Sequence, residues 1–212
     1  KIDALENVSG GLVTASGMAA ITATLLGLLC NGDHIIGGDQ LYGRSLRLLT
    51  QDLPRFGISA TLADPTDAKA IEAAITPATK LILVEVVSNP TLRVADMDGI
   101  AAIAQKHGLI MVVDNTFTTP RAYKPFDHGA DVVIHSVTKL LAGHSDAMLG
   151  YVAAKSTEHR TQIEVTAITM GLTPSPYDCW RAERGWRSCH LRYDRAEENA
   201  AALADHLAGL SG

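Results

Sequence analysis

Positive charge is the first thing this chain of 212 residues has too little of: 18 Lys and Arg stand against 23 Asp and Glu, a formal net charge of −5. Phosphate backbones demand a basic face, so nucleic acid is disfavoured as a main partner. Cysteines are few. The three present, Cys30, Cys179 and Cys189, make no disulfide framework in a chain this long and point to a reducing, cytoplasmic compartment. Long hydrophobic runs are missing too. The longest, Met18 to Cys30, contains Thr22 and Thr24 and falls short of the roughly 20 residues that span a bilayer, so no membrane partner is expected. No basic segment followed by an apolar one marks a secretory leader. Gly10-Gly11 is too irregular for a dinucleotide fingerprint, and no Gly-rich loop ending in Gly-Lys-Ser or Gly-Lys-Thr occurs. Neither a CxxC nor an HExxH spacing accompanies His135, His144 and Asp146, so no metal is expected.

What is present is apolar material. At 47% hydrophobic and 19% charged, the chain is far from a disordered composition and has ample core for one large domain. It begins at Lys1 without a methionine and stops at Gly212, where a helical pattern is only just closing. The expectation is a piece of a longer protein, incomplete at both ends.

Short β-rich apolar runs alternate with longer segments of helical period. Met18–Cys30 reads as a buried helix, His34–Ile36 as a strand, and Ser45–Leu53 as a helix ended by Pro54. Ile58–Leu62, Leu81–Val86, Leu109–Val113, Asp131–His135 and Met148–Ala153 read as strands. Asp67 caps one intervening helix; Asp96 caps another, which Gly108 closes. Past Ser156 the strands stop and helices run to about residue 208. Fully apolar strands separated by helices are what a mainly parallel sheet covered on both faces requires, so the fold class is α/β. The expected organisation is one large domain over 1–212, with the sheet in about 1–155 and helices from about 156 leading to an absent C-terminal domain.

Ligands in such sheets bind at the carboxyl ends of the strands. Ser88-Asn89-Pro90 follows one strand, Asp114-Asn115-Thr116 the next, and Ser136-Val137-Thr138-Lys139 a third. Each alone is an ordinary turn or a solvated lysine; together they would converge on one cleft. A lysine amine can form a Schiff base with an aldehyde cofactor, and pyridoxal 5'-phosphate carries that aldehyde, a pyridine nitrogen and a phosphate. Lys139 supplies the amine, and Asp114 a carboxylate for the pyridinium. Ser136 and Thr138 offer hydroxyls to the phosphate, and Ser16-Gly17-Met18 opens a long helix whose N-terminus would cradle the same anion. Tyr42 could stack on the ring.

These residues resemble one family in order. Ser16-Gly17-Met18-Ala19-Ala20-Ile21, Leu41-Tyr42-Gly43, Ser88-Asn89-Pro90-Thr91-Leu92, Val113-Asp114-Asn115-Thr116-Phe117, His135-Ser136-Val137-Thr138-Lys139 and Gly143-His144-Ser145-Asp146 look like the pyridoxal-phosphate enzymes of cysteine and methionine metabolism. That family includes cystathionine β- and γ-lyases, cystathionine γ-synthase, methionine γ-lyase and the homoserine-ester sulfhydrylases. The resemblance implies the aspartate-aminotransferase-like (type I) fold, a homotetramer built as a dimer of dimers, and an amino-acid substrate. It implies catalytic roles for Lys139, Tyr42 and Asp114, and cofactor binding by Ser16, Gly17, Met18, Tyr42, Asn89, Asp114, Ser136, Thr138 and Lys139.

The reaction it implies is β- or γ-elimination on cystathionine, methionine or a related sulfur amino acid. The alternatives are γ-replacement on a homoserine ester and a non-catalytic, cofactor-binding relative. Two family features fall outside the chain: a Tyr and an Arg that reach the phosphate from a neighbouring subunit, completing the site, and the arginine that grips the substrate carboxylate. Arg181, Arg184, Arg187 and Arg192 lie on a charged helical stretch and read as solvated or interface pairs. Cys179 and Cys189 read as packing residues. Glu85, inside an apolar strand, reads either as a tuned acid or as a structurally paired carboxylate.

Overall fold

The computed structural model describes residues 1–210. Its centre is a seven-stranded sheet: β1 (Leu12–Thr14), β2 (His34–Gly38), β3 (Ser59–Ala63), β4 (Thr79–Glu85), β5 (Ile110–Asp114), β6 (Val132–Ser136) and β7 (Gly150–Ala154). The spatial order is β1-β7-β6-β5-β4-β2-β3. The neighbours β6, β5, β4, β2 and β3 run parallel, while β7 pairs antiparallel with both β6 and β1. The helices are α1 (Ile2–Glu6), α2 (Gly17–Leu28), α3 (Gly43–Arg47), α4 (Ala68–Ala73), α5 (Met97–His107), α6 (Thr119–Ala122), α7 (Thr157–Thr169), α8 (Pro176–Trp186) and α9 (Cys189–Ala208).

The strands are apolar on both faces because both are covered. Ile82, Val84, Met111, Val113 and Val133 point to one side, where Met97, Ile100 and Ala104 of α5 cover them. Their neighbours Leu81, Leu83, Val112, Val132 and Ile134 point to the other, against Ala20, Ile21, Ala23 and Leu25 of α2. Ile163 and Ala167 of α7 join that second layer. Helix α7 comes so close to α2 that a Cβ at Gly27 would lie 3.0 Å from the Gln162 carbonyl. The expected α/β architecture, with its alternating strands and helices, is therefore the one observed.

Helix ends follow their capping chemistry. Ser16, Asp67, Asp96 and Ser156 each accept a backbone N–H of the first turn they precede. Gly108 closes α5 in the left-handed conformation at φ 63°. Two expectations change. The helix over Ser45–Leu53 is only α3, continued by a π-helical turn at Leu48–Asp52; Pro54 then sits inside a 3-10 turn, Leu53–Phe56, rather than ending a helix. Proline lacks the N–H that a first turn leaves unpaired, so it is tolerated there, and Gly57 at φ 76° makes the stop. The edge strand β1 was not legible, since three residues show no period. Among the described residues no helix is long and apolar enough to cross a membrane.

Candidate active site

The carboxyl ends of β2, β4, β5 and β6 open on one side of the sheet, together with the N-terminus of α2. They enclose a cavity of about 780 Å³. All nine residues expected there line it: Ser16, Gly17, Met18, Tyr42, Asn89, Asp114, Ser136, Thr138 and Lys139. Nothing local in the sequence ties Tyr42 to Lys139; crossover connections between parallel strands bring them together.

The floor is carboxylic. Asp114, the last residue of β5, accepts the Thr116 amide at 3.0 Å and the Thr116 hydroxyl as well. That hydroxyl oxygen in turn accepts the Ser136 amide at 2.8 Å, so Thr116 ties the ends of β5 and β6. Burial pushes the Asp114 carboxyl above its ordinary value, against the opposing pull of its bonds from Thr116 and of the nearby His135. Glu85 stands beside it, in register across the β4–β5 ladder. Burial first, then the Asp114 charge, push Glu85 up to about 7. Its Oε1 accepts the Tyr42 amide at 2.8 Å and its Oε2 the Asn89 amide at 3.0 Å.

One wall is the N-terminus of α2 against the end of β6. Ser16 Oγ accepts the Ala19 amide at 3.0 Å, which fixes the start of α2. At Gly17 a Cβ would stand 2.8 Å from Ser136 Cβ, so only glycine lets the helix end approach β6 this closely. At Gly150 a Cβ would stand 2.1 Å from the Ser16 carbonyl oxygen, and a glycine is needed there too. Thr138 differs from its neighbours: its hydroxyl donates to the Leu149 carbonyl at 3.1 Å and accepts the Leu149 amide at 3.0 Å. Ser136 and Thr138 both line the cavity.

Lys139 follows in the turn after β6 and, among the described residues, is the one lysine lining the cavity. Its turn is braced by Arg192, which corrects the reading of that arginine as a solvated or interface pair. Arg192 donates to the Leu140 carbonyl at 2.8 Å, the Gly185 carbonyl at 3.1 Å and Ser188 Oγ at 3.1 Å. The reason is positional: α9 starts against this turn, and a guanidinium fork matches converging carbonyls. Arg184 does pair, with Asp146, whose carbonyl accepts Arg181 at 2.7 Å. Cys189 is buried, and burial pushes its thiol and that of Cys179 up.

The histidines are occupied otherwise than as ligands. His135 Nε2 bonds Glu6 Oε1 at 2.6 Å with both side chains fully buried, and His144 Nδ1 bonds the Ala142 carbonyl at 2.8 Å. Among the described residues no cluster of three His, Cys, Asp or Glu could hold a metal ion. Glu85, Thr116 and Arg192 are among the lining residues that the sequence did not assign to the site. A charged residue in an otherwise apolar strand was the signal for Glu85; for Thr116 there was only its place beside Asp114.

Comparison with known proteins agrees with this arrangement. A cystathionine beta-lyase of Bacillus subtilis is 39% identical over 204 residues, covering 96% of this chain and 52% of that protein. An L-methionine gamma-lyase of Pseudomonas putida is 41% identical over 98% of this chain and 52% of its own length, and a cystathionine gamma-synthase of Haemophilus influenzae is 42% identical over 96% and 55%. The chain thus spans about half the length of these relatives. The crystal structure of a cystathionine gamma-lyase from Lactobacillus plantarum complexed with L-serine superposes with a TM-score of 0.93 at 40% identity, over 98% of this chain and 54% of that one. With the model described as "Cys/Met metabolism PLP-dependent enzyme" matching residues 1–210, the chain belongs to that family.

Proposed function

We propose that this chain is the cofactor-bearing large domain of a PLP-dependent trans-sulfuration enzyme, a carbon–sulfur lyase acting by β- or γ-elimination on cystathionine, methionine or a related sulfur amino acid. The observation that carries the reading is convergence: a lysine, the Asp114 carboxylate with Glu85 beside it, and a glycine-opened helix N-terminus line a single cavity. These donors suit the cofactor. The α2 N-terminus and Ser136 Oγ offer hydrogen bonds and positive dipole to a phosphate, and Asp114, at the end of β5 and lining the cavity, suits a protonated ring nitrogen.

When bound, the cofactor supplies an electron-withdrawing ring that makes the substrate's α-proton acidic. The chain's residues do the rest. Lys139 Nζ would hold the cofactor through its aldehyde and would accept the substrate's α-proton and return protons to the substrate. Asp114 holds the ring proton in place. Tyr42 and Asn89, which both line the cavity, would help to hold the ring. The whole protein is read as a cytoplasmic homo-oligomer, a dimer of dimers in which a neighbouring subunit completes the site, with residues 156–212 leading to its C-terminal domain. Gamma-replacement is the second reading, favoured by the similarity to a gamma-synthase at 42% identity.

The test is visible absorbance of the purified whole protein, followed by incubation with cystathionine, methionine, cysteine and O-succinylhomoserine. The expected result is a cofactor band that Lys139→Ala abolishes, and a keto acid as product. Survival of the band in that variant would overturn the assignment of Lys139. A thioether product in place of a keto acid would turn the reading from lyase to synthase.

A further inference from the structure

Two of the cavity's side chains, Tyr42 and Asn89, sit on loops with no covalent reason to keep step. One loop leaves β2 and the other leaves β4. Neither side chain is recorded in a hydrogen bond among the described residues. What joins the loops is Glu85, the last residue of β4 and itself only 8% exposed. Its two carboxylate oxygens accept one main-chain amide from each loop, Tyr42 at 2.8 Å and Asn89 at 3.0 Å. The Tyr42 carbonyl accepts the Leu46 amide at 3.0 Å, so its main chain is held from both sides while the residue, 45% exposed, lines the cavity. Beyond Asn89 the loop is fastened by Ser88, whose hydroxyl accepts the Arg93 amide at 2.9 Å.

We propose that Glu85 is a positioning residue for the cofactor site: its carboxylate clamps the main chain of Tyr42 and Asn89 so that ring and amide reach the bound cofactor together. This rests on the reading of the cavity as a pyridoxal-phosphate site and assigns that site a control point of its own. The chemistry requires a carboxylate, so the clamp is measured above about pH 7, where Glu85 is ionised. Two N–H donors need two acceptor oxygens, and a glutamine offers one oxygen and an amide group that would face the second N–H with its own hydrogens. A shorter aspartate keeps both oxygens but pulls them back by one methylene. An alanine leaves two N–H groups without partners at the floor of the site.

The test titrates cofactor-free whole protein with pyridoxal 5'-phosphate in four forms: unaltered, Glu85→Gln, Tyr42→Ala and the double variant. Loss of one of the two bonds is expected to weaken cofactor binding roughly tenfold in Glu85→Gln. In the Tyr42→Ala background the same change is expected to cost clearly less, because the ring it places is gone. A second measurement needs no cofactor. Hydrogen exchange should show protection of the Tyr42 and Asn89 amides falling roughly tenfold in Glu85→Gln while the β4 and β5 amides keep theirs. Should Glu85→Gln fail to fold, Glu85→Asp carries both measurements. Unchanged affinity, an equal loss in both backgrounds, or unchanged protection of the two amides would each overturn the clamp. Failure of the unaltered protein to bind the cofactor would instead overturn the site reading, leaving the exchange result to judge the clamp alone.

Discussion

The pair Glu6–His135 offers a sharp test of how the site's far side is held. Glu6 ends α1, and His135 precedes Ser136 in β6, on the sheet face away from α2. Their side chains meet at 2.6 Å with no solvent exposure on either. Asn115 adds a long contact to Glu6 Oε1 at 3.4 Å, while Glu6 Oε2 and His135 Nδ1 have no partner among the described residues. The pair is thus shut away from bulk solvent, which makes each group depend on the other. Removing one member of such a pair costs about 3–5 kcal/mol, because the survivor stays buried and unpaired. Replacing both by apolar groups of similar volume is often neutral. Glu6→Leu and His135→Leu should therefore each lower stability by about 3–5 kcal/mol, and the double variant should lose less than either single. Urea unfolding of the cofactor-free whole protein, read at its midpoint with the slope checked for constancy, measures all four corners. If the singles add to within about 0.5 kcal/mol, the two residues are not coupled and the reasoning fails.

Gly17→Ala should cost about 1–3 kcal/mol and weaken cofactor binding, since its Cβ would press on Ser136 Cβ at 2.8 Å and Cα at 3.1 Å. Gly43→Ala, where nothing lies within 4 Å of the added atom, serves as the control and should be neutral in melting temperature. Arg192→Gln should destabilise by about 2 kcal/mol by withdrawing a charged donor from the Leu140 and Gly185 carbonyls; an unchanged melting temperature would refute the brace. Glu85 predicts a pH dependence. Its carboxyl is pushed from 4.5 up to about 7, so the folded protein keeps a proton there that the unfolded chain releases. Its contribution to stability should fall as pH rises from about 4.5 to about 7, then level off. Subtracting the Glu85→Gln stability curve from that of the unaltered protein isolates this slope, and a flat difference would contradict it.

Local signals carried much of this protein. Apolar strands such as Leu81–Val84 and Val112–Val113 announce a sheet covered twice, because no other arrangement hides side chains on both faces. Asp67, Asp96 and Gly108 mark helix ends because capping is decided within a few residues. The cavity's lining was legible for a related reason: strand ends collect in an α/β sheet, so Asp114, Ser136 and Lys139 could be assigned to one cleft before any distance was known.

Other features depended on residues far apart in the chain. The turn around Pro54 and the three residues of β1 carry no period that a local reading can use. Arg192 looked like one solvated charge among several, and only the packing of α9 against the Lys139 turn directs it to carbonyls 52 and 7 residues away. Glu85 was ambiguous between acid and strut, since its partners lie 43 residues before it and 4 after. Glu6 and His135, 129 residues apart, meet only in the folded protein. Sequence by itself determined which side chains could do the chemistry and on which edge of the sheet they gather, because periodicity and capping act over a few bonds. Which groups hold them there was decided by tertiary structure, because buried hydrogen bonds form between neighbours in space.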